Sequence, residues 1–319
     1  MRLRRLISRA SLLGGIFAIA ATTGGCTGLL TDLMVKAPNY DRPLDEPRRV
    51  DPGRLEQMNV DEQFTVEVGP PDQTLLVWRM DPPDDAPIKG TVLLVHGWRN
   101  EMSWMMSTAR GLARGGYRVI LMDLRGHGGS TGRYVSFGVH EARDLVQLVD
   151  ELERRRLIEG RLGAWGLSMG ASTVIQAAAI DERIEAVVAA AAFTSMREVV
   201  RHIESSFLPL TCVGDGDLDA LIDAAAATAG YDADDADALD AAPRTDAPIL
   251  IIHGKWDMIV PHRHGMQLYA AAKHSRFVSL PFTGHAGIYF DAAGDVRRES
   301  LAWFDRHLQR TEADDLAGW

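Results

Sequence analysis

Six short apolar runs recur along the chain, each about one strand long and separated from the next by a helical pattern or a long connection. They are Thr91–Val95, Arg118–Asp123, Arg161–Leu167, Ala186–Phe193, Pro248–Ile252 and Phe277–Leu280. Continuous apolar runs of this length fit strands buried on both faces, not half-exposed ones. Helical patterns fall among them at Met102–Arg114, Glu141–Arg156, Met169–Ile180 and Arg263–Lys273, and a last one follows at Ser300–Leu308. The first ends at Gly115-Gly116, a stop signal, and the second gathers Ala142, Leu145, Val146, Val149 and Leu152 on one face. Strands alternating with helices imply a parallel sheet covered on both sides. A hairpin-like pair, Phe64–Val68 and Thr74–Met80, precedes the series. The expected fold class is α/β: about eight strands, mostly parallel, with helices on both faces.

Composition narrows the function classes. The chain has 319 residues, 46% of them hydrophobic and 24% charged, enough for one large domain and too apolar for wholesale disorder. Its mean hydropathy of -0.09 excludes a polytopic membrane protein. The net charge of -10 argues against nucleic acid as a partner. Two cysteines exclude a disulfide scaffold and a cysteine zinc site. Cys212 reads as a lone, half-buried thiol.

The first residues read as an export signal. Arg2, Arg4, Arg5 and Arg9 precede an apolar run from Ala10 to Thr22 that is too short for a membrane span. Thr23-Gly24-Gly25-Cys26 resembles a bacterial lipobox, with Thr23 where Leu is usual. This makes Cys26 the candidate lipidation site, residues 1–25 a signal peptide, and the mature protein a lipid-anchored one facing the periplasm or exterior. Ala18-Ile19-Ala20 offers an ordinary cleavage site instead, and Ala10–Leu30 could stay uncut as an anchor. Residues 26–61, rich in Pro, Asp and Arg and without a clear period, are expected to form a tether. Residues 62–311 would form the catalytic domain and 312–319 a tail.

The chemistry lies in three loops that follow predicted strands. Gly166-Leu167-Ser168-Met169-Gly170 joins a strand to a helix, the context that a G-x-S-x-G nucleophile turn requires. Ser168 would stand at a helix N-terminus, which favours developing negative charge. A serine needs a base, and among ten histidines His285, in Thr283-Gly284-His285-Ala286-Gly287, lies just after the last strand. His96, His127, His253, His262 and His264 read as structural. Asp257, in the loop after the preceding strand, would orient the base. Val95-His96-Gly97-Trp98 ends another strand, so the backbone N–H groups of Trp98 and Met169 are the candidate oxyanion donors.

These motifs, with Asp123-Leu124-Arg125-Gly126-His127-Gly128-Gly129-Ser130, resemble those of the serine α/β-hydrolases over roughly Phe64 to Leu308. Gly138 through Glu141, Asp144 and Phe193-Thr194-Ser195 look most like the serine aminopeptidase/lysophospholipase-like branch. The resemblance implies an α/β-hydrolase fold and an acyl-enzyme mechanism with triad Ser168, Asp257 and His285. It implies no metal and no organic cofactor. The substrate would be a small ester or lipid-like molecule, with thioesters and amides also open. An acyltransferase or perhydrolase using the same triad, or a non-catalytic binding lipoprotein on this scaffold, are the rival readings. Oligomeric state is not legible.

The resemblance also places a small helical cap at about residues 200–243. His202 to Pro243 contains Glu204 and nine aspartates but neither Lys nor Arg. Asp215-Gly216-Asp217-Leu218-Asp219 opens like a calcium loop, but Ala220 and Ala226 stand where an EF-hand needs Gly and Glu. A solvated acidic surface is the reading. It would set a negative potential near the entrance and favour neutral or cationic esters, unless the acids face away.

Overall fold

The computed structural model describes residues 26–42, 47–83, 86–207 and 215–309. In chain order the elements are α1 (Cys26–Val35), α2 (Pro52–Met58), β1 (Glu62–Val68), β2 (Gln73–Met80), β3 (Gly90–Val95), α3 (Met106–Arg114) and β4 (Tyr117–Met122). Then come α4 (Val139–Arg154), β5 (Arg161–Leu167), α5 (Met169–Ala178), β6 (Ile184–Ala190), α6 (Met196–Phe207), α7 (Asp215–Ala229) and α8 (Ala238–Ala241). The chain continues with β7 (Ile249–Gly254), α9 (His262–Ala271), β8 (Ser275–Leu280), α10 (His285–Phe290) and α11 (Asp295–His307).

The strands form one eight-stranded sheet in the order β1-β2-β4-β3-β5-β6-β7-β8. β1 and β2 are antiparallel to each other, β2 is antiparallel to β4, and every later pairing is parallel. This is an α/β-hydrolase fold. Alternate residues of each central strand feed two cores. Leu93, Val95, Ala164, Val187 and Ile251 face one side with α4 and α5, while Val92, Leu94, Trp165, Val188 and Ile252 face the other with α3 and α11. A strand buried on both faces cannot alternate apolar with polar, which is why its sequence reads as a continuous run.

The segment expected to be a tether is packed against the domain. Val35 and Ala37 are buried, Ala37 N donates to Arg133 O, and the Asn39 amide donates to the carbonyls of Gly128 and Ser130. Leu55 and Val60 join the second core, and Gln63 exchanges two hydrogen bonds with the Val50 backbone. Single apolar residues separated by turns leave no period to detect, yet each fills a pocket. Residues 1–25, expected to be a signal peptide, the expected tail 312–319 and Cys212 lie outside the described residues. Among those described, no helix is long and apolar enough to cross a membrane.

The connection from β6 to β7 holds α6, α7 and α8. Ser195 bridges Asp237, and the amides of Ala238 and Leu239 both donate to Thr194 O. Thr194 also meets His264 Nδ1 through its hydroxyl, so Phe193-Thr194-Ser195 fastens this helical insertion to the sheet edge. Its acids are less bare than their sequence suggests. Arg197 pairs with Asp223 and Asp234, Arg201 with Asp219, and Arg244 with Asp240. All three arginines stand just outside the base-free stretch, so the expected negative field is partly cancelled by residues the window left out.

Candidate active site

The turn after β5 is built by two glycines. A Cβ on Gly166 would lie 2.3 Å from Gly170 O, and one on Gly170 would lie 2.5 Å from the carbonyl oxygens of both Val95 and His96. Neither position admits a side chain. Ser168 between them is held at φ 55°, ψ -117°, a conformation costing on the order of 1–3 kcal/mol. Its amide donates to Ala190 O on β6, which fixes the strained turn.

Two further loops converge on that serine. Beyond the last paired residues of β7 and β8, Lys255 N donates to Leu280 O and Trp256 N to Thr283 O. The loops carrying Asp257 and His285 are thus zipped together. Asp257 is buried, and its Oδ1 accepts the backbone N–H groups of Ile259 and Val260. Its Oδ2 lies 2.7 Å from His285 Nδ1. On the other edge of the ring, His285 Nε2 lies 3.1 Å from Ser168 Oγ. The three candidate residues therefore form one continuous line, in which the carboxylate fixes the ring and the free ring nitrogen faces the hydroxyl.

The candidate oxyanion donors flank the same hydroxyl. Met169 opens α5, where the first N–H groups of a helix have no intrahelical acceptor. Gly97 runs against the serine turn: a Cβ there would lie 3.3 Å from both Leu167 O and Ser168 Cβ. Trp98 is the next residue. Among the described residues neither the Trp98 nor the Met169 backbone N–H has an acceptor. The arrangement can hold a serine nucleophile, a base and two donors around a carbonyl.

His96 and His127, two of the histidines expected to be structural, are buried and bonded through both ring nitrogens. His96 Nδ1 donates to Gly97 O while its Nε2 accepts Leu124 N–H, and His127 does the same with Arg125 O and Arg99 N–H. Burial lowers His96 to about 3 and His127 to about 4, so both stay neutral. In the unfolded chain both protonate near pH 6.5. Their stabilisation is therefore complete above that pH and is lost as pH falls toward about 4 and then 3. We expect urea midpoints to drop between about pH 7 and about pH 5. His127→Gln, which keeps an acceptor but cannot protonate, should drop less; an equal drop would contradict this role.

His253, read from the sequence only as structural, stands behind the triad. His253 Nε2 donates to Val260 O at 2.8 Å and stands 3.7 Å from Asp257 Oδ2, bracing the loop that carries the carboxylate. Asp123, which the sequence offers only as the first residue of the Asp123–Ser130 motif, joins two loops. Its two oxygens accept Met102 N–H and Gly129 N–H, tying the Trp98 loop to the Gly126–Ser130 turn, and burial pushes its carboxyl up to about 7.

A sheet of this topology with a serine, a histidine and an aspartate on the loops after β5, β8 and β7 defines a serine hydrolase. The chain belongs to the X-Pro dipeptidyl-peptidase (S15) family, which residues 80–244 match. That stretch contains Ser168 and the helical insertion and ends before Asp257. The Escherichia coli K12 protein YfhR is 26% identical over 218 residues, covering 67% of this chain and 69% of that one. In fold the chain is similar to the Pyrococcus furiosus esterase Pf2001, with a TM-score of 0.64 and 20% identity over 83% of this chain and 98% of that one. It is also similar to an esterase domain from Rhodothermus marinus, with a TM-score of 0.56 and 22% identity over 77% and 98%.

Proposed function

We propose that the protein hydrolyses carboxylic esters through an acyl-enzyme on Ser168. The observation that carries this reading is the unbroken line from Asp257 Oδ2 through His285 to Ser168 Oγ, with contacts of 2.7 and 3.1 Å. Ser168 Oγ attacks the carbonyl carbon as His285 Nε2 takes its proton. The carbonyl oxygen becomes an oxyanion that the Trp98 and Met169 amides bind; one such donor is typically worth about 2.7–4 kcal/mol. His285 then gives the proton to the departing alkoxide, leaving the acyl group on Ser168. Water attacks this ester with His285 again as base, and the acid leaves. Asp257 keeps Nδ1 protonated and stabilises the transient imidazolium.

The family match favours a second reading, release of N-terminal Xaa-Pro dipeptides by the same triad. The esterase names of the two structural neighbours favour the first. A panel of p-nitrophenyl esters and Xaa-Pro p-nitroanilides separates them. Higher kcat/KM on the esters supports the esterase reading, and higher kcat/KM on the anilides replaces it.

For the N-terminus we propose lipidation at Cys26, on the strength of the lipobox-like run after an arginine-led apolar segment. Cys26→Ser should release the protein from membranes or block its processing. Cell fractionation with mass spectrometry of the mature N-terminus reads the outcome. A wild type cut after Ala20, or uncut and still embedded, contradicts it.

A further inference from the structure

We infer that the catalytic edge of the molecule is a docking face for a phospholipid bilayer, from which the ester substrate is taken. The inference rests on the hydrolase reading for its substrate and on three separate observations for its surface.

The first is where large apolar side chains are exposed. Among the described residues nine stand out, and six of them, Trp104, Trp256, Met258, Ile259, Phe282 and Phe290, lie on the loops or short elements that follow β3, β7 and β8. These are the segments that carry Trp98, Asp257 and His285. Phe282 is 76% and Met258 68% exposed. Trp256 and Phe282 stack edge to face at 5.0 Å, and Trp104 meets Tyr289, which meets Phe290 in turn. Scattered surface apolar residues are ordinary, but a concentration of them on the segments that carry the candidate catalytic residues marks an interaction site. Indole and phenyl rings of this kind settle at the headgroup boundary of a bilayer.

The second is charge. A cavity of about 270 Å³ beside the Trp104 edge is lined by four arginines, Arg42, Arg48, Arg49 and Arg54, against three acids, Asp51, Glu101 and Asp123. Arg48, Arg49 and Arg54 are exposed and have no carboxylate partner among the described residues, and the same holds for Lys255 next to Trp256. In a chain of net charge -10 this local excess of cations suits phosphate headgroups.

The third is the route of the chain. Helix α1 packs on α7 of the insertion, and Lys36 just after it bridges Tyr134 in the loop leaving the C-terminal end of β4. Cys26, the proposed lipidation site, therefore opens a helix held against elements that leave the same edge of the sheet as the triad. A membrane that holds a lipid on Cys26 lies on the side of these exposed aromatic residues.

The test uses the full-length protein and one acyl group in two forms, a soluble short-chain ester and an ester dissolved in phosphatidylcholine vesicles. The variant Trp256→Ser/Phe282→Ser/Phe290→Ser replaces exposed side chains outside the catalytic line. We expect it to keep the soluble rate and to lose about tenfold or more on vesicles. An unchanged vesicle rate, or an equal loss on both substrates, would overturn the proposal. If the wild type turns over neither ester, the hydrolase reading fails, and quenching of tryptophan fluorescence by brominated phospholipid decides docking alone. Quenching that falls in Trp104→Phe/Trp256→Phe supports docking; quenching that does not fall overturns it. So does a solution dimer that buries these residues.

Discussion

Ser168→Ala is expected to lower kcat/KM on ester substrates by on the order of 10⁴ to 10⁶ without loss of the fold. Among the described residues the hydroxyl's one hydrogen bond is with His285 Nε2, on a part-exposed ring, so its removal leaves no fully buried group unpaired. Alanine in the same strained turn keeps the Ser168 N–H bond to Ala190 O, because that bond belongs to the backbone. The thermal midpoint should therefore hold while catalysis collapses to what the oxyanion donors alone provide. Steady-state kinetics beside a thermal melt reads both. More than about a tenth of wild-type activity in the variant would assign the nucleophile elsewhere.

Asp144→Ala is expected to cause the largest loss of stability. Arg125 Nε and Nη2 donate to the two Asp144 oxygens at 2.7 and 2.5 Å, and both side chains are nearly inaccessible to water. Removing the aspartate leaves a guanidinium buried without its counter-charge. Breaking one side of such a pair typically costs about 3–5 kcal/mol, or on the order of 10 °C in thermal midpoint for a domain of this size. Replacing both partners with apolar residues, Arg125→Met with Asp144→Leu, should recover much of that loss, since no charge is then stranded. A single variant within about 1 kcal/mol of wild type would mean that the pair is hydrated and holds little.

Arg125 and Asp144 also show what kind of information the sequence carried. They were singled out because their motif resembles a known family, and nothing in their spacing revealed that they bond each other. The triad was legible for a different reason. Each member follows a strand whose continuous apolar run is visible, and a parallel sheet brings all strand C-termini to one edge. Local pattern plus topology thus fixed positions 89 and 28 residues apart in the chain. The strand assignments held for the same reason: the central strands are sealed on both faces, so burial left its mark on every residue.

What could not be read depended on single side chains meeting distant partners. Val35, Ala37 and Asn39 dock the N-terminal segment through isolated side chains that meet distant partners, which leaves no period in that segment. His285 opens a six-residue helix that was read as loop, because a helix this short carries too few residues to show a periodic face. The acidic insertion looked wholly unbalanced because charge was counted along the chain, whereas Arg197 and Arg201 offset part of it across a helix interface. The cations were in plain sight, but their partners are set by packing.

The central claim is that Ser168 is a nucleophile activated by His285. A fluorophosphonate probe tests this most directly, because it reacts with an activated serine and needs no knowledge of the substrate. Wild-type protein is incubated with the probe, digested, and the adduct located by mass spectrometry, with His285→Ala in parallel. The account predicts a single adduct on the peptide containing Gly166-Leu167-Ser168-Met169-Gly170 and almost none in the His285 variant. No adduct on folded wild-type protein, an adduct on another serine, or equal labelling without His285 would contradict it.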